Sequence, residues 1–276
     1  MENVSAVRAP ARFCWHVSLG YSAFYLACLA IPFYGVSWRA VGLMAASFFF
    51  RMFFLSVGYH RYFSHRAFQT SRPVQFLLGF FGALTVQRGP LWWAQTHRHH
   101  HRHADTTDDL HSPRHMGFWR SHFGWFMSER YARTDYSKIR DFARYPELRL
   151  LDSEARNVLY LGYAGLFYWL GGMQGLLWGF FLSTVLLWNI SHWIQSLSHM
   201  AVGGYRRYQS KDHSRNHYLI GLLSLGEWHN NHHYSPSTAK QGHVWWEIDV
   251  GYYFLAIGSR LGLVWDLQPL RRPREA

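Results

Sequence analysis

Residues 39–58 read RAVGLMAASFFFRMFFLSVG, and two residues later the chain reads His60-Arg61-Tyr62-Phe63-Ser64-His65. A bilayer-spanning helix needs about 20 mostly apolar residues, so this stretch predicts a membrane span that ends beside two histidines. Further apolar stretches occupy residues 14–35, 156–172 and 174–197. The sequence therefore predicts an all-α integral membrane protein with four transmembrane helices, forming a single domain over residues 1–276.

The four predicted spans pair into two hairpins. The turns read Gly35-Val36-Ser37-Trp38 and Gly171-Gly172-Met173-Gln174, and both are short and uncharged. The apolar run from Phe76 to Val86 is too short to span a bilayer and indicates an interfacial or re-entrant helix. Arg39 can extend from the end of the second span to the membrane surface, and we expect Arg51 to do so less readily.

The distribution of positive charge predicts the orientation. With four spans, both termini and the segment 59–155 lie on one side of the membrane, and 25 of the 28 lysines and arginines lie there. The positive-inside rule makes that side cytoplasmic, so the histidine-rich segments form a cytoplasmic helical cap. The net charge of +12 is explained by topology and attraction to anionic lipid, and a nucleic-acid partner is not expected.

The cysteines and the N-terminus point to no other class of protein. Cys14 and Cys28 lie in or beside the first span, too few for a disulfide framework or a cysteine-based metal site. The first residues contain no short apolar run followed by a small-residue cleavage site, so we expect no removable signal peptide.

Three histidine clusters lie near predicted span ends. The first holds His60 and His65, and the other two, His97-Arg98-His99-His100-His101 and His229-Asn230-Asn231-His232-His233, share the spacing His-x-x-His-His. Positions i, i+3 and i+4 fall on one face of a helix, so each of these clusters directs three imidazoles one way. The five-residue spacing of the first cluster suits a helix end that unwinds into a loop.

A further histidine, His199, ends the fourth span, and Gln195 lies one turn earlier on the same face. Zinc normally takes four ligands, so nine imidazoles are too many for one ion and suit two ions with four or five ligands each. Imidazole binds Fe, Zn and Cu alike. His99 falls away from the ligand face, His111 and His122 lie in polar loops where solvated positions are expected, and His192 remains ambiguous.

At these residues the chain resembles the membrane fatty-acid desaturase family, in particular the stearoyl or acyl-CoA type and its bacterial relatives. The three histidine boxes match in order, spacing and membrane position, and stretches such as Trp245-Trp246-Glu247-Ile248-Asp249 also match. The resemblance implies two iron ions as cofactors. It makes the following residues ligands: His60, His65, His97, His100, His101, His199, His229, His232 and His233.

The resemblance also implies a role for residues beside the metals. Relatives usually carry Asn at the position of Gln195, where it reaches one iron through a water, and Gln195 could hold the same water. Family members line a bent acyl tunnel with residues that match Gln87, Trp93 and Ser191. Animal acyl-CoA enzymes have an Arg-Asp pair, which contacts coenzyme A, where this chain has Gln95 and Thr96, so that contact is missing.

The activity implied is insertion of a cis double bond into a long acyl chain with O2, with acyl-CoA as the first choice of substrate and a position at or near carbon 9. An acyl-lipid substrate and an acyl or alkyl hydroxylase on the same fold are the alternatives, and a histidine-rich membrane metal transporter is a distant one. No heme-binding or dinucleotide fingerprint is present, so a separate donor such as a ferredoxin or rubredoxin supplies electrons. The bacterial branch implies the inner membrane.

Overall fold

The computed structural model describes residues 12–270. The expected cytoplasmic placement of both chain termini concerns residues outside this range. The fold is mostly helical. Its α-helices are α1 (Trp15–Cys28), α2 (Ile31–Tyr34), α3 (Trp38–Phe53), α4 (Arg72–Ala83), α5 (Pro90–His103), α6 (Pro113–Met116), α7 (Arg140–Ala143), α8 (Pro146–Asp152), α9 (Arg156–Gln174), α10 (Ser183–Gln195), α11 (Tyr218–Leu223), α12 (His229–Tyr234) and α13 (Val250–Arg260).

Wider and tighter helical turns connect several of these helices. The π-helical segments are Phe54–Ser64, Arg120–Gly124 and Gly175–Leu182, and the 3-10 turns are Trp125–Met127, Glu129–Tyr131, Tyr136–Lys138 and Leu197–His199. Two short strands, β1 (Gln69–Thr70) and β2 (Val264–Trp265), pair antiparallel.

Within residues 12–270, three helical stretches are long and apolar enough to cross a membrane: Trp15–Tyr34, Trp38–Ser64 and Arg156–His199. The sequence predicted four spans because it divided the last stretch at its glycines. The backbone departs from helical geometry at the same place. Gly172 has a φ of +58° there, a conformation that glycine adopts without steric cost.

The third stretch folds back on itself at this break. The rings of Tyr163 and Phe180 lie 6.2 Å apart between centroids, whereas 17 residues of straight helix would separate them by about 25 Å. Arg156–His199 is therefore a helical hairpin that turns at the predicted glycines.

The turns of the two hairpins lie side by side. The Ser37 hydroxyl caps α3 by accepting from the Ala40 N–H at 3.2 Å, and it donates to Gln174 Oε1 at 2.7 Å. The Gln174 amide in turn donates to the Tyr34 carbonyl at 2.7 Å. These bonds fix one end of the helix bundle, and His60 lies toward the other end of the second stretch.

Arg51, which was expected to reach the surface less readily than Arg39, does not extend there at all. Its side chain is fully buried and donates to the hydroxyls of Ser183 and Thr184, each at 2.6 Å. The backbone carbonyls of Ser47 and Leu84 accept further bonds at 3.2 Å. A buried guanidinium is tolerated where its donors are satisfied, and the facing helix supplies those acceptors.

The second stretch ends as a π-helix and not as an unwound loop. From Phe54 to Ser64 the backbone bonds follow the i to i+5 pattern, and the His65 N–H continues it by donating to the His60 carbonyl at 3.2 Å. The wider turn places residues five apart on the same side. The imidazoles of His60 and His65 consequently lie 4.9 Å apart between ring centroids.

Candidate metal centre

The structure brings all nine predicted ligand histidines together in two adjacent groups. Within each group the candidate ligand atoms lie within 4.8 Å of one another. The first group is His60, His65, His97, His101 and His232, and the second group is His100, His199, His229 and His233.

The two His-x-x-His-His clusters each serve both groups. On α5, His97 and His101 belong to the first group and His100 to the second. On α12, His232 belongs to the first group and the other two histidines to the second. The two groups are neighbours, since the rings of His101 and His233 lie 4.4 Å apart between centroids. One helix face can therefore supply ligands to both groups.

The inward-facing nitrogens of these histidines lack ordinary partners. Nε2 of His60 lies 2.9 Å from Nε2 of His232, and Nε2 of His229 lies 2.7 Å from Nε2 of His199. Among the nine histidines, three further Nε2 atoms are buried and make no hydrogen bond with any described residue. They belong to His65, His100 and His233.

The opposite nitrogens of four histidines contact buried carboxylates. A carboxylate that accepts from Nδ1–H fixes the tautomer and leaves Nε2 free to bind a metal. The Nδ1 to oxygen distances are 2.6 Å for His60 and Glu227, 3.0 Å for His100 and Asp109, 2.9 Å for His199 and Asp105, and 2.7 Å for His233 and Asp212.

These four carboxylates were not predicted from the sequence. Asp105 and Asp109 follow the second cluster within eight residues, and Glu227 precedes the third by two. That proximity was a usable signal. Asp212 lies 21 residues from His233, in a loop that carries no motif of its own, and local spacing could not have identified it.

Burial keeps several of the imidazoles neutral, which is the form that binds metals. Burial, followed by repulsion from neighbouring histidines, holds the pKa of His97, His101 and His232 well below its usual range. Burial alone would raise the pKa of Asp212, but contact with His233 holds it far below its ordinary value. Burial also lowers the pKa of His233 to about 4, so Asp212 stays charged beside a neutral ring. His199 differs, because its contact with Asp105 outweighs burial and raises its pKa.

The residues present fit metal ions. His60 and His199 direct Nδ1–H to a carboxylate, so their Nε2 atoms carry lone pairs that need a cation or a donor. Two imidazole nitrogens bound about 2.0–2.1 Å from one ion, at right angles, are separated by roughly 2.9 Å, close to the observed spacings of 2.7 and 2.9 Å. Each group can accommodate an ion of a type that imidazole binds.

His111 and His122 are buried, so the expectation of solvated positions was wrong for both. His111 is 4% exposed, packs against the His100 ring with centroids 4.3 Å apart, and leaves Nδ1 unpartnered among the described residues. His122 contacts Ser196 Oγ at 2.9 Å. The loop that carries them folds under α10, which a local polar composition does not reveal.

Two residues flank the ligand set. His99 lies away from both groups, and its Nε2 contacts the Asp108 carbonyl at 3.0 Å. The Gln195 amide donates to the Ser121 carbonyl at 3.4 Å and lines the same cavity as His100 and His229. The expected contact of Gln195 with a metal through water stays a prediction.

A cavity of about 490 Å³ adjoins both groups. His60 and His97 line it from the first group, and His100 and His229 from the second. Met52 also lines the cavity, and it lies eight residues before His60, about 12 Å along a helix. The cavity thus extends from the histidines into the apolar helices.

The three predicted tunnel residues line this cavity and are joined to one another. The Trp93 indole N–H donates to Gln87 Oε1 at 3.1 Å, and the Gln87 amide donates to Ser191 Oγ at 2.9 Å. The Trp93 ring also stacks on His97, with centroids 4.8 Å apart. This chain of hydrogen bonds fixes the cavity wall directly beside the first group.

A helical protein with a histidine-rich centre beside a long apolar cavity can be compared with known families. The chain matches the sequence model described as Fatty acid desaturase over residues 36–248, a range that includes both histidine groups. The chain belongs to the fatty acid desaturase family.

Several curated relatives share most of this length. The sn-2 palmitoyl-lipid 9-desaturase of Nostoc sp. (strain 36) is 36% identical over 256 residues, which is 90% of this chain and 88% of the relative. The Delta-9 acyl-lipid desaturase 2 of Arabidopsis thaliana is 34% identical, over 91% of this chain and 81% of the relative. The Acyl-CoA 5-desaturase AL21 of Anemone leveillei is 32% identical, over 88% and 76%. Membership of this family makes the protein an oxidoreductase.

Proposed function

We propose that this protein introduces a cis double bond at or near carbon 9 of a lipid-linked acyl chain, using two iron ions, O2 and electrons from a separate protein. The observation that carries the proposal is the apolar cavity lined by histidines of both groups. A cavity of this kind brings one part of a long chain to the metals and keeps the remainder away from water.

The first group would hold one iron and the second group the other. When bound, the two ions supply the oxidation, in which O2, two electrons, two protons and two hydrogens from adjacent methylenes give one double bond and two waters. Glu227, Asp109, Asp105 and Asp212 orient four of the ligand imidazoles. Gln195 would contact the iron of the second group through a water.

The hydrogen-bonded row of Trp93, Gln87 and Ser191 positions the acyl chain. Because Trp93 stacks on a ligand histidine, the cavity wall and the metal ligands share one rigid unit. The methylene pair beside His60 and His97 is set by that wall. Positioning of this kind selects one bond on a chain whose carbons are chemically alike.

A lipid-linked chain is favoured over acyl-CoA by the names of two of the three relatives described above and by two side chains. Gln95 Oε1 accepts from the Asp135 N–H at 2.8 Å, and the Thr96 hydroxyl donates to the Trp92 carbonyl at 2.6 Å. Both are thus engaged within the protein at the positions where animal acyl-CoA enzymes carry the Arg-Asp pair.

The proposed topology has four crossings, because the hairpin Arg156–His199 supplies two. The helical cap and both metal groups then face the cytoplasm, and in a bacterium the membrane is the inner one. The cap exposes arginines and lysines such as Arg102, Arg140 and Lys211. An acidic ferredoxin or rubredoxin can dock there and deliver electrons.

Expression in a host that lacks desaturases tests the proposal. Mass spectrometry of total lipid should show new monounsaturated acyl chains carrying a cis bond near carbon 9, and they should be absent with a His232→Ala variant of equal expression. Hydroxylated chains, or unchanged saturated chains despite an iron-loaded and reducible protein, would contradict it.

A further inference from the structure

The polar mouth of the acyl cavity has features of its own. A smaller polar cavity of about 260 Å³ adjoins it. The two cavities share five lining residues: Arg88, Trp92, Ala132, Glu154 and Arg156. We propose that this mouth binds the phosphate group of the acyl carrier through Arg88 and Arg156, an inference that rests on the proposed function and specifies its substrate class.

The mouth carries more positive than negative charge. Three arginines line the smaller cavity, with Arg133 joining the two already named, against the two carboxylates of Asp152 and Glu154. Two arginines can grip a phosphate with several charge-assisted hydrogen bonds. The balance of charge therefore suits an anion.

Neither carboxylate is placed to neutralise the arginines fully. Asp152 is buried, and its oxygens accept from the Trp92 N–H at 2.8 Å and the Thr134 hydroxyl at 2.5 Å. Glu154 contacts Arg156 at 3.1 Å, but its side chain is 82% exposed. An ion pair with one solvent-exposed partner contributes little, so a phosphate can replace Glu154 at Arg156, whose side chain is 12% exposed.

The mouth also contains two hydrogen-bond donors that find no good acceptor among the described residues. The Tyr160 hydroxyl lies beside Arg156. Within residues 12–270, neither this hydroxyl nor the Arg156 Nε–H makes a hydrogen bond of good geometry, although both atoms are buried. Buried polar groups normally have partners, and phosphate oxygens would supply them.

Two contacts within the protein hold the Arg88 side chain at the mouth, where it could bind a phosphate. Its guanidinium lies over the Trp92 ring at 4.7 Å and donates to the Ala132 carbonyl at 2.5 Å. Burial and then repulsion from Arg156 lower the pKa of Arg88. An anion between the two guanidinium groups would relieve that repulsion.

The position of the mouth matches where lipid phosphates lie. Arg156 is the first residue of α9, at the end of an apolar stretch, and Arg88 follows the end of α4 by five residues. Residues at such helix ends lie at the level of the lipid head groups. A phospholipid could thus place its phosphate at the arginines and its acyl chain in the cavity.

The test compares carriers with identical acyl chains. Purified iron-loaded enzyme is assayed with phosphatidylglycerol, monogalactosyldiacylglycerol and the acyl-CoA, in wild type, Arg156→Gln, Arg156→Lys and the exposed-surface control Arg260→Gln. For wild type we expect turnover of phosphatidylglycerol to exceed that of the galactolipid, which has no phosphate. In Arg156→Gln the ratio of the two kcat/KM values should fall about 10-fold or more, mostly through KM, because a charge-assisted contact is lost.

The controls separate a phosphate site from general damage. Arg156→Lys keeps the charge and should recover most of the ratio, and Arg260→Gln should leave it unchanged. A loss confined to acyl-CoA would support the phosphate site and assign the phosphate to coenzyme A. An unchanged ratio in Arg156→Gln, at normal iron content and with both phosphate-bearing carriers, would overturn the inference, whereas absence of unsaturated product from every carrier in wild type would instead overturn the proposed function.

Discussion

His99 and His100 are adjacent residues of the same type, yet the structure places them differently. His100 is 2% exposed, and the contact between its Nδ1 and Asp109 Oδ1 orients its ring. Its Nε2 makes no hydrogen bond with any described residue. His99 instead contacts the backbone carbonyl of Asp108. We expect His100→Ala to abolish turnover and lower the iron content. His99→Ala should stay within about twofold of wild type, as substitutions away from buried networks usually do. Equal losses in the two variants, at equal expression, would show that the ligand face of α5 is assigned incorrectly.

Asp212 offers a test of the carboxylates behind the ligands. Its Oδ2 lies 2.7 Å from His233 Nδ1, and Asn at this position can donate to Nδ1 and favour the wrong tautomer. Loss of such an outer contact typically costs about 10 to 100-fold in metal affinity or activity, and we expect Asp212→Asn to fall in this range when iron is titrated against a chelator. Asp266→Asn is the matched control, because that exposed carboxylate contacts only Gln69 among the partners seen, at 2.8 Å. Wild-type affinity in Asp212→Asn would remove the orienting role.

Gln195 distinguishes a water-mediated metal contact from a simple helix contact. Gln195→Asn should be tolerated, since the shorter amide can still hold a water that shifts to meet it. Gln195→Leu should retain its metal through the nine histidines but lose about 10 to 100-fold in turnover. Near wild-type turnover in the Leu variant, with normal metal content, would mean that the side chain only bonds to the Ser121 carbonyl.

Six of the nine histidines share a repeated spacing, the other three lie at span ends, and the family resemblance joined them into one predicted ligand set. Their division into two groups could not be predicted, because α5 and α12 each contribute to both groups only once they pack together. The same limit applies to Asp212 and to His111, whose burial depends on contacts between distant parts of the chain. Spacing and resemblance identified the histidines, and tertiary packing assigns their partners.

At the scale of elements, the π-helix Phe54–Ser64 depends on a close neighbour. A Cβ atom added to Gly82 on α4 would overlap the Tyr59 ring, which is fully buried in the π-helix. We expect Gly82→Ala to destabilise the protein by about 1–3 kcal/mol, as overpacking typically does, and to lower Tm in detergent. Gly162→Ala is the control, because its Cβ would meet open space. An unchanged Tm in Gly82→Ala would show that α4 can move away from the π-helix at little cost.

The elements themselves were only partly predictable. The apolar stretches and both hairpin turns follow from composition and glycine, and the first turn ends where Ser37 caps α3. The i to i+5 backbone before His65 was not foreseen, because π-helical bonds are weak locally and persist here through packing against α4. The hydrogen-bond acceptors of Arg51 could not be predicted either, since Ser183 and Thr184 lie more than 130 residues away.

At the scale of the whole molecule, the helix bundle, the cap and the cavity form one arrangement. Met52 and Leu55 of the second apolar stretch line the cavity, histidines of both groups line it as well, and the arginine-lined mouth lies where α9 begins. We expect an acyl chain that enters at the mouth to pass the histidines before it reaches the apolar helices.

The proposed roles of the cavity and the mouth both require that each of the two histidine groups binds one metal ion. Elemental analysis of purified, fully active protein tests this requirement most directly. We expect about two iron ions per chain, whereas protein produced without added iron should carry zinc and be inactive, since zinc binds such ligands more tightly. Full activity with one metal ion per chain would show that the two groups do not bind one ion each.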